Sequence, residues 1–136
     1  MLLVVDTNII VSALMSKNDG SMSVRLMREI MNGTHKMCVS SDILKEYEDV
    51  LHRDYLGLPA MKVDRFLSWI RLNSYMIEPL PTSQHEVEMR GDDTDRKFFD
   101  LARCLNVRLV TKNYRHYPVH ELITLVDELY PANTKQ

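Results

Sequence analysis

The chain has 136 residues, of which 45% are apolar and 26% charged, with a formal net charge of −2 at pH 7. That length suits one domain with a sizeable core and leaves little room for a second, and the composition is that of an ordinary globular chain. No apolar run approaches the roughly 20 residues that cross a bilayer, which argues against a membrane partner, and the slight acidity gives no bulk support for nucleic-acid binding.

The opening run Leu2–Val5 is short and apolar, lacks a basic flank and meets Asp6 at once. It reads as a buried strand rather than a signal peptide, and a cytoplasmic location is the expectation. Thr7-Asn8 breaks it, and residues 9–15 are expected to be helical. After a loop at 17–20, Ser21 is placed to cap a second helix to about residue 31, with Val24, Met27, Ile30 and Met31 on one face and Gly33 ending it. Residues 37–39 form a second short strand. Ser41 is placed to cap a helix over about 42–52. Gly57 and Pro59 break the chain before a helix over 61–74, whose apolar side is Phe66, Leu67, Trp69 and Ile70. A third strand follows at 75–77, then a loop at Pro79 and Pro81, and 84–90 shows no decisive pattern. Asp92 to Asp95 open a helix reaching about residue 105, and 107–111 is a strand rich in aliphatic and β-branched residues. A loop from Asn113 to Pro118, a strand near 122–124 and a short helix near 126–130 complete the reading. The only cysteines, Cys38 and Cys104, are expected as two buried thiols in a reducing compartment, and no Cys/His spacing resembles a zinc site.

Strands alternating with helices imply parallel pairing through right-handed crossovers. The expected architecture is a three-layer α/β/α sandwich around a central parallel sheet of four or five short strands. Ligands bind such sheets beyond the carboxyl ends of the strands, so residues just after each strand matter most.

Asp6 follows the first strand directly, and Asn8 beside it can fix a carboxylate or a water through its amide. The plainer role for Asp6 is to cap the next helix. In the third helix, Ile43, Tyr47, Val50 and Leu51 form the apolar stripe, and Glu46 and Glu48 flank it equally. Periodicity does not choose between them, and either suits a solvated helix edge. Asp92, Asp93 and Asp95 crowd a helix start, where acids complement the helix dipole. Asp95 lies three residues before Phe98 and seven before Ala102, on the core-facing side, whereas Asp92, Asp93 and Asp100 need not. Acids that converge repel one another, and a hard divalent cation with oxygen ligands removes that penalty. Such a cation also suits phosphodiester hydrolysis.

The run Leu3-Val4-Val5-Asp6-Thr7-Asn8-Ile9-Ile10-Val11-Ser12-Ala13-Leu14 resembles the first motif of PIN domains, and in particular the bacterial subgroup classed as toxins of toxin–antitoxin systems. Residues 39–51 resemble the second motif, which picks Glu46 over Glu48. Asp92-Asp93-Thr94-Asp95-Arg96-Lys97-Phe98-Phe99-Asp100-Leu101-Ala102 resembles the third, with Asp95 in the usual acidic position and Asp92 a further ligand candidate. Leu109-Val110-Thr111-Lys112-Asn113 looks like the strand before the fourth site, with Thr111 and Asn113 in supporting places. The resemblance covers nearly the whole chain in order. It implies a PIN-like fold and an endoribonuclease in which Asp6, Glu46 and Asp95 hold Mg²⁺ or Mn²⁺, with RNA as substrate. The family often has Asp where this chain has Asn113 and His116. Asn113 can hydrogen-bond a water but carries no charge, and His116 is read as a loop residue.

Arg90, Arg96, Lys97, Lys112 and Arg115 lie near the acids in sequence and suit phosphate contacts without base readout, although a solvated charged surface explains them too. The second helix, with Met22, Leu26, Met27, Ile30 and Met31, carries more apolar residues than one face needs, and Met-rich surfaces repack around partners. An antitoxin or a second subunit is the expected occupant, with plain core as the alternative. Three functions stand open: a metal-dependent endoribonuclease, a degenerate PIN module that binds RNA or protein without cleaving, and another phosphate-processing enzyme. A phosphatase acting through aspartyl phosphate needs a second Asp near Asp6, and Asn8 fills that position.

Overall fold

Leu3, Val4 and Val5 have no solvent exposure, so their strand is covered on both faces. Strands of that kind are Val/Ile/Leu-rich and parallel, and the helices that connect them supply the cover. The computed structural model describes residues 1–80, 89–91 and 93–130. Its strands are β1 (Leu2–Val5), β2 (Lys36–Val39), β3 (Tyr75–Met76), β4 (Arg108–Thr111) and β5 (Ile123–Leu125). They form one sheet in the order β3-β2-β1-β4-β5, every neighbouring pair parallel. The register sets Leu3 beside Met37 and Val5 beside Val110.

The helices are α1 (Thr7–Met15), α2 (Met22–Met31), α3 (Ser41–Leu51), α4 (Ala60–Asn73) and α5 (Arg96–Leu105). The crossovers from β1 to β2 and from β2 to β3 step one way, and the one from β3 to β4 steps back. Right-handed crossovers therefore put α1 to α4 over one face and α5 over the other. α1 packs on α2, α3 on α4, and α5 against β1 and β4. The core is aliphatic at its centre, with Ile9, Ile10, Leu26, Leu51, Ile70 and Leu101 all fully or almost fully buried. Each contributes about 1.5–3 kcal/mol by leaving water.

Most expected elements lie within two residues of their place. Helix α1 starts at Thr7 rather than at residue 9, because Asp6 takes the extended N-cap position. Ser21 caps α2 by accepting from the Val24 N–H at 3.2 Å. The cap of α3 is Ser40 rather than Ser41: its backbone is still extended, and its Oγ accepts from the Ile43 N–H at 3.2 Å. α5 begins at Arg96, after a 3-10 turn over Asp93–Asp95. The last expected helix is a 3-10 turn over Val126–Leu129. One other expectation needs correction. Both cysteines are free thiols, but only Cys38 is buried, Cys104 facing outwards from α5. Asp100, whose side the sequence left open, is buried and lines a cavity with Ser40, Glu78 and Asp93. Residues 84–88 and Asp92 lie outside the described residues.

Candidate metal centre

β1 ends at Val5, and Asp6 begins the turn into α1, at the carboxyl edge of the central strand. Although Asp6 occupies the N-cap position, its side chain makes no capping hydrogen bond. Its Oδ2 instead accepts from the Thr111 hydroxyl at 2.8 Å and from the Tyr117 hydroxyl at 2.9 Å. Burial pushes the Asp6 carboxyl above its ordinary pKa, the Thr111 and Tyr117 hydroxyls oppose that shift, and nearby Glu46 adds to it. Burial and the charge of Asp6 likewise raise the Tyr117 hydroxyl, which stays a neutral donor.

Thr111, at the end of β4, is a hub. Its Oγ accepts from the Asn8 amide at 3.3 Å and from the Asn113 N–H at 3.0 Å while donating to Asp6. The Asn8 amide orientation is fixed at its other end, where Oδ1 accepts from the Lys112 N–H at 3.2 Å. Asn8, Thr111 and Asn113, expected as supporting residues, thus meet around one carboxylate through the strand end rather than by touching it separately.

Glu46 projects from α3 into the same cavity, whereas Glu48 turns outward to Arg71 at 3.2 Å. The choice that periodicity left open is therefore resolved by geometry. The neighbouring Tyr47 anchors this turn: its hydroxyl donates to the Val5 carbonyl at 2.5 Å, and its ring lies 6.3 Å from that of Phe98. Both Glu46 oxygens are engaged, Oε2 by the Thr7 hydroxyl and Oε1 by the Lys97 ammonium at 2.7 Å.

Asp95 stands at the N-cap of α5 and, like Asp6, makes no capping bond with its side chain. It faces the cavity, with Oδ2 3.3 Å from Nδ1 of His116. Desolvation, then the charges of Asp6 and Glu46, push its carboxyl up to about 6, against the pull of His116 and Lys97. His116 is held by Asn113. The Asn113 Oδ1 accepts from the Arg115 N–H at 3.2 Å, so its amide nitrogen is the atom 3.0 Å from His116 Nε2. That nitrogen donates and Nε2 accepts, so the neutral imidazole carries its proton on Nδ1, aimed at Asp95.

Oxygen atoms of Asp6, Glu46 and Asp95, one from each, all lie within 4.8 Å of one another. They line an open cavity of about 610 Å³ together with His116 and Lys112. Opposite ligands of Mg²⁺ stand about 4.2 Å apart, so a small side-chain adjustment brings the set into shared coordination. The all-oxygen chemistry suits a hard divalent cation, which also relieves the mutual repulsion that adds to the burial-driven upward shifts at Asp6 and Asp95.

The residues expected at a basic rim divide. Lys112 and Arg115 are exposed, and Lys112 Nζ donates to Ser12 Oγ at 3.0 Å. Lys97 is turned onto Glu46. Arg96 is buried, and its Nε donates to Asp93 Oδ1 at 2.8 Å, so it belongs to the wall rather than the rim. Two contributors, Thr7 and Tyr117, had no signal in the sequence, and His116, read as a loop residue, turns its ring to Asp95. All three reach the acids because the end of β1, the middle of α3, the start of α5 and the turn after β4 meet at one place.

Fold and site together define a class: a parallel α/β protein whose strand ends gather an oxygen-only acidic set. A family model described as PIN domain matches residues 2–115, and the chain belongs to that family. PIN domains are in general nucleases that use divalent metal ions. No curated protein and no solved structure matches the chain.

Proposed function

We propose that this chain is a metal-dependent endoribonuclease and the toxin component of a toxin–antitoxin system. The observation that carries the reading is the convergence of Asp6, Glu46 and Asp95 from the end of β1, the middle of α3 and the start of α5. Those three side chains would hold Mg²⁺ or Mn²⁺. When bound, the ion supplies a Lewis acid that neutralises charge on the phosphodiester under attack. Asn8, Thr111 and Tyr117 fix Asp6, Thr7 fixes Glu46, and Asn113 through His116 fixes Asp95. Lys97 puts a cation beside Glu46, and Lys112 and Arg115 offer cations to neighbouring phosphates.

The test is cleavage of single-stranded RNA with Mn²⁺ by the native chain and by Asp6→Asn and Asp95→Asn. Removing a direct ligand costs more than the roughly 10–100-fold typical of an outer partner. Activity in both variants is therefore expected to vanish, while circular dichroism and thermal melting stay native. Expression of the native chain in a bacterial host is expected to arrest growth, and Asp95→Asn to relieve the arrest. Native cleavage by both variants would end the nuclease reading.

An antitoxin has a surface to suit it. A cavity of about 500 Å³ between α1, α2 and α4 is lined by Met27, Phe66 and Trp69, with Arg28, Lys62 and Arg65 around them. Met31 beside it is 56% exposed. An amphipathic helix with an acidic edge matches that apolar floor and cationic border.

The second reading, a module that binds RNA without cutting it, draws on Asn113 and His116 where acids are usual, and on the Lys97 ammonium already seated on Glu46. Bound RNA left intact after long incubation with Mn²⁺ is its signature.

A further inference from the structure

The 3-10 turn Tyr114–His116 has two working sides. On one, His116 meets Asp95 in the acidic cavity. On the other, Tyr114 lines a separate cavity of about 370 Å³, shared with Arg90, Val119, His120 and Glu128. The two residues are about 4 Å apart along such a turn, so the cavities are close neighbours. The Arg90-Gly91 segment is tied down beside them. The Gly91 N–H donates to the His116 carbonyl at 3.1 Å, and a Cβ on Gly91 would come within 3.0 Å of His116 Cα. That close approach sets exposed Arg90 against the turn that carries both Tyr114 and His116.

The walls of this second cavity are chemically mixed. Tyr114 is 45% exposed and offers a ring face. The His120 ring is held edge-on to Phe99 at 5.4 Å, and its Nδ1 accepts from the Leu122 N–H at 3.1 Å. Its neutral form therefore carries the proton on Nε2, a fixed donor. Glu128 is oriented by the Leu125 N–H, which donates to its Oε1 at 2.8 Å, and stands as a fixed acceptor. Ile123 and Leu125 add an apolar floor.

We infer that this cavity receives one unpaired nucleobase of the RNA strand whose backbone runs past His116, with Tyr114 as its stacking platform. The inference rests on the ribonuclease reading. A base needs an aromatic face and a mixed donor and acceptor edge, and single-stranded RNA is held in this way. Arg90 at the same cavity provides a cation for the adjoining phosphate.

The test is the affinity of a fluorescein-labelled single-stranded RNA decamer, followed by anisotropy in EDTA so that no cleavage intervenes, together with steady-state cleavage in Mn²⁺. Tyr114→Ala is expected to weaken binding by about 5- to 150-fold, the range of one lost base stack, whereas Tyr114→Phe keeps affinity within about twofold. In cleavage, the loss falls on KM rather than kcat. Val119→Glu, at a side chain 90% exposed, places a negative charge in the same cavity and is expected to weaken binding without lowering the melting temperature. If the native chain cleaves RNA while Tyr114→Ala and Val119→Glu bind and cleave as well as native, the base pocket is wrong and the nuclease reading survives. If the native chain neither binds nor cleaves RNA, both fall.

Discussion

Asp95 shows most directly what a single residue contributes and what it costs. Its carboxyl, pushed up to about 6 by desolvation and by Asp6 and Glu46, prefers to keep its proton in the folded chain. A folded pKa above the unfolded one gives a contribution that is complete below the unfolded value and fades as pH rises through the folded one. Asp6 is shifted the same way. The metal-free protein is therefore expected to lose stability between about pH 4 and about pH 6, and a divalent ion to restore it where the carboxyls are ionised. The measurement is the melting temperature with and without Mn²⁺ at about pH 4.5 and about pH 7.5. The stabilisation by Mn²⁺ should be large at the higher pH, small at the lower, and absent at both in Asp95→Asn. An equal Mn²⁺ effect at the two pH values would separate the ion from these acids. At this scale the sequence was partly legible. Asp6 announced itself by following an apolar strand, whereas Glu46 needed the family resemblance to beat Glu48. Tyr117 and Thr7 were not legible, because a hydroxyl aimed at a carboxylate leaves no periodic trace. The hub at Thr111 explains why a neutral residue matters here: it is fully buried and ties β4, α1 and the following turn to one Asp6 oxygen.

Elements place these residues through their ends, so caps become functional parts. The hydroxyl of Ser40 satisfies the Ile43 N–H at the start of α3, and Glu46 rides two turns further on. Ser40→Ala is expected to cost about 1 kcal/mol, read as a lower urea midpoint at unchanged slope. Its effect on activity should be modest, because Tyr47 still pins the middle of α3 to the Val5 carbonyl. A loss well above that cost would mean that the cap also steadies Glu46. Strand β1 was readable as a buried apolar run and β4 by its aliphatic and β-branched residues, and α2 to α4 by their apolar sides. The remaining differences share a cause. Where an element ends at the sheet edge, tertiary partners choose the boundary: Asp6 gives up capping for Thr111 and Tyr117, and Asp93–Asp95 winds as a 3-10 turn that delivers Asp95 to the cavity. Local propensity carries no record of those partners.

At the scale of the whole molecule, a chain with a net charge of −2 has to bind a polyanion around an acidic centre. Affinity must then come from a few local cations and from contacts that salt does not screen. Exposed Arg90 and Lys112 line the two cavities, and exposed Arg115 lies on the turn between Tyr114 and His116. If each neutralises one phosphate of single-stranded RNA, the logarithm of affinity should fall with the logarithm of salt at a slope of about −2. Lys112→Ala or Arg115→Ala is expected to flatten that slope by about 0.7 and to weaken every RNA sequence alike. Tyr114→Ala is expected to behave differently, lowering affinity at all salt concentrations while leaving the slope in place, because stacking releases no counterions. Anisotropy titrations across a salt series separate the two. A slope near zero in the native chain would exclude the cationic rim, whereas a change of slope in Tyr114→Ala would mean that the residue acts through phosphate contacts rather than through a base.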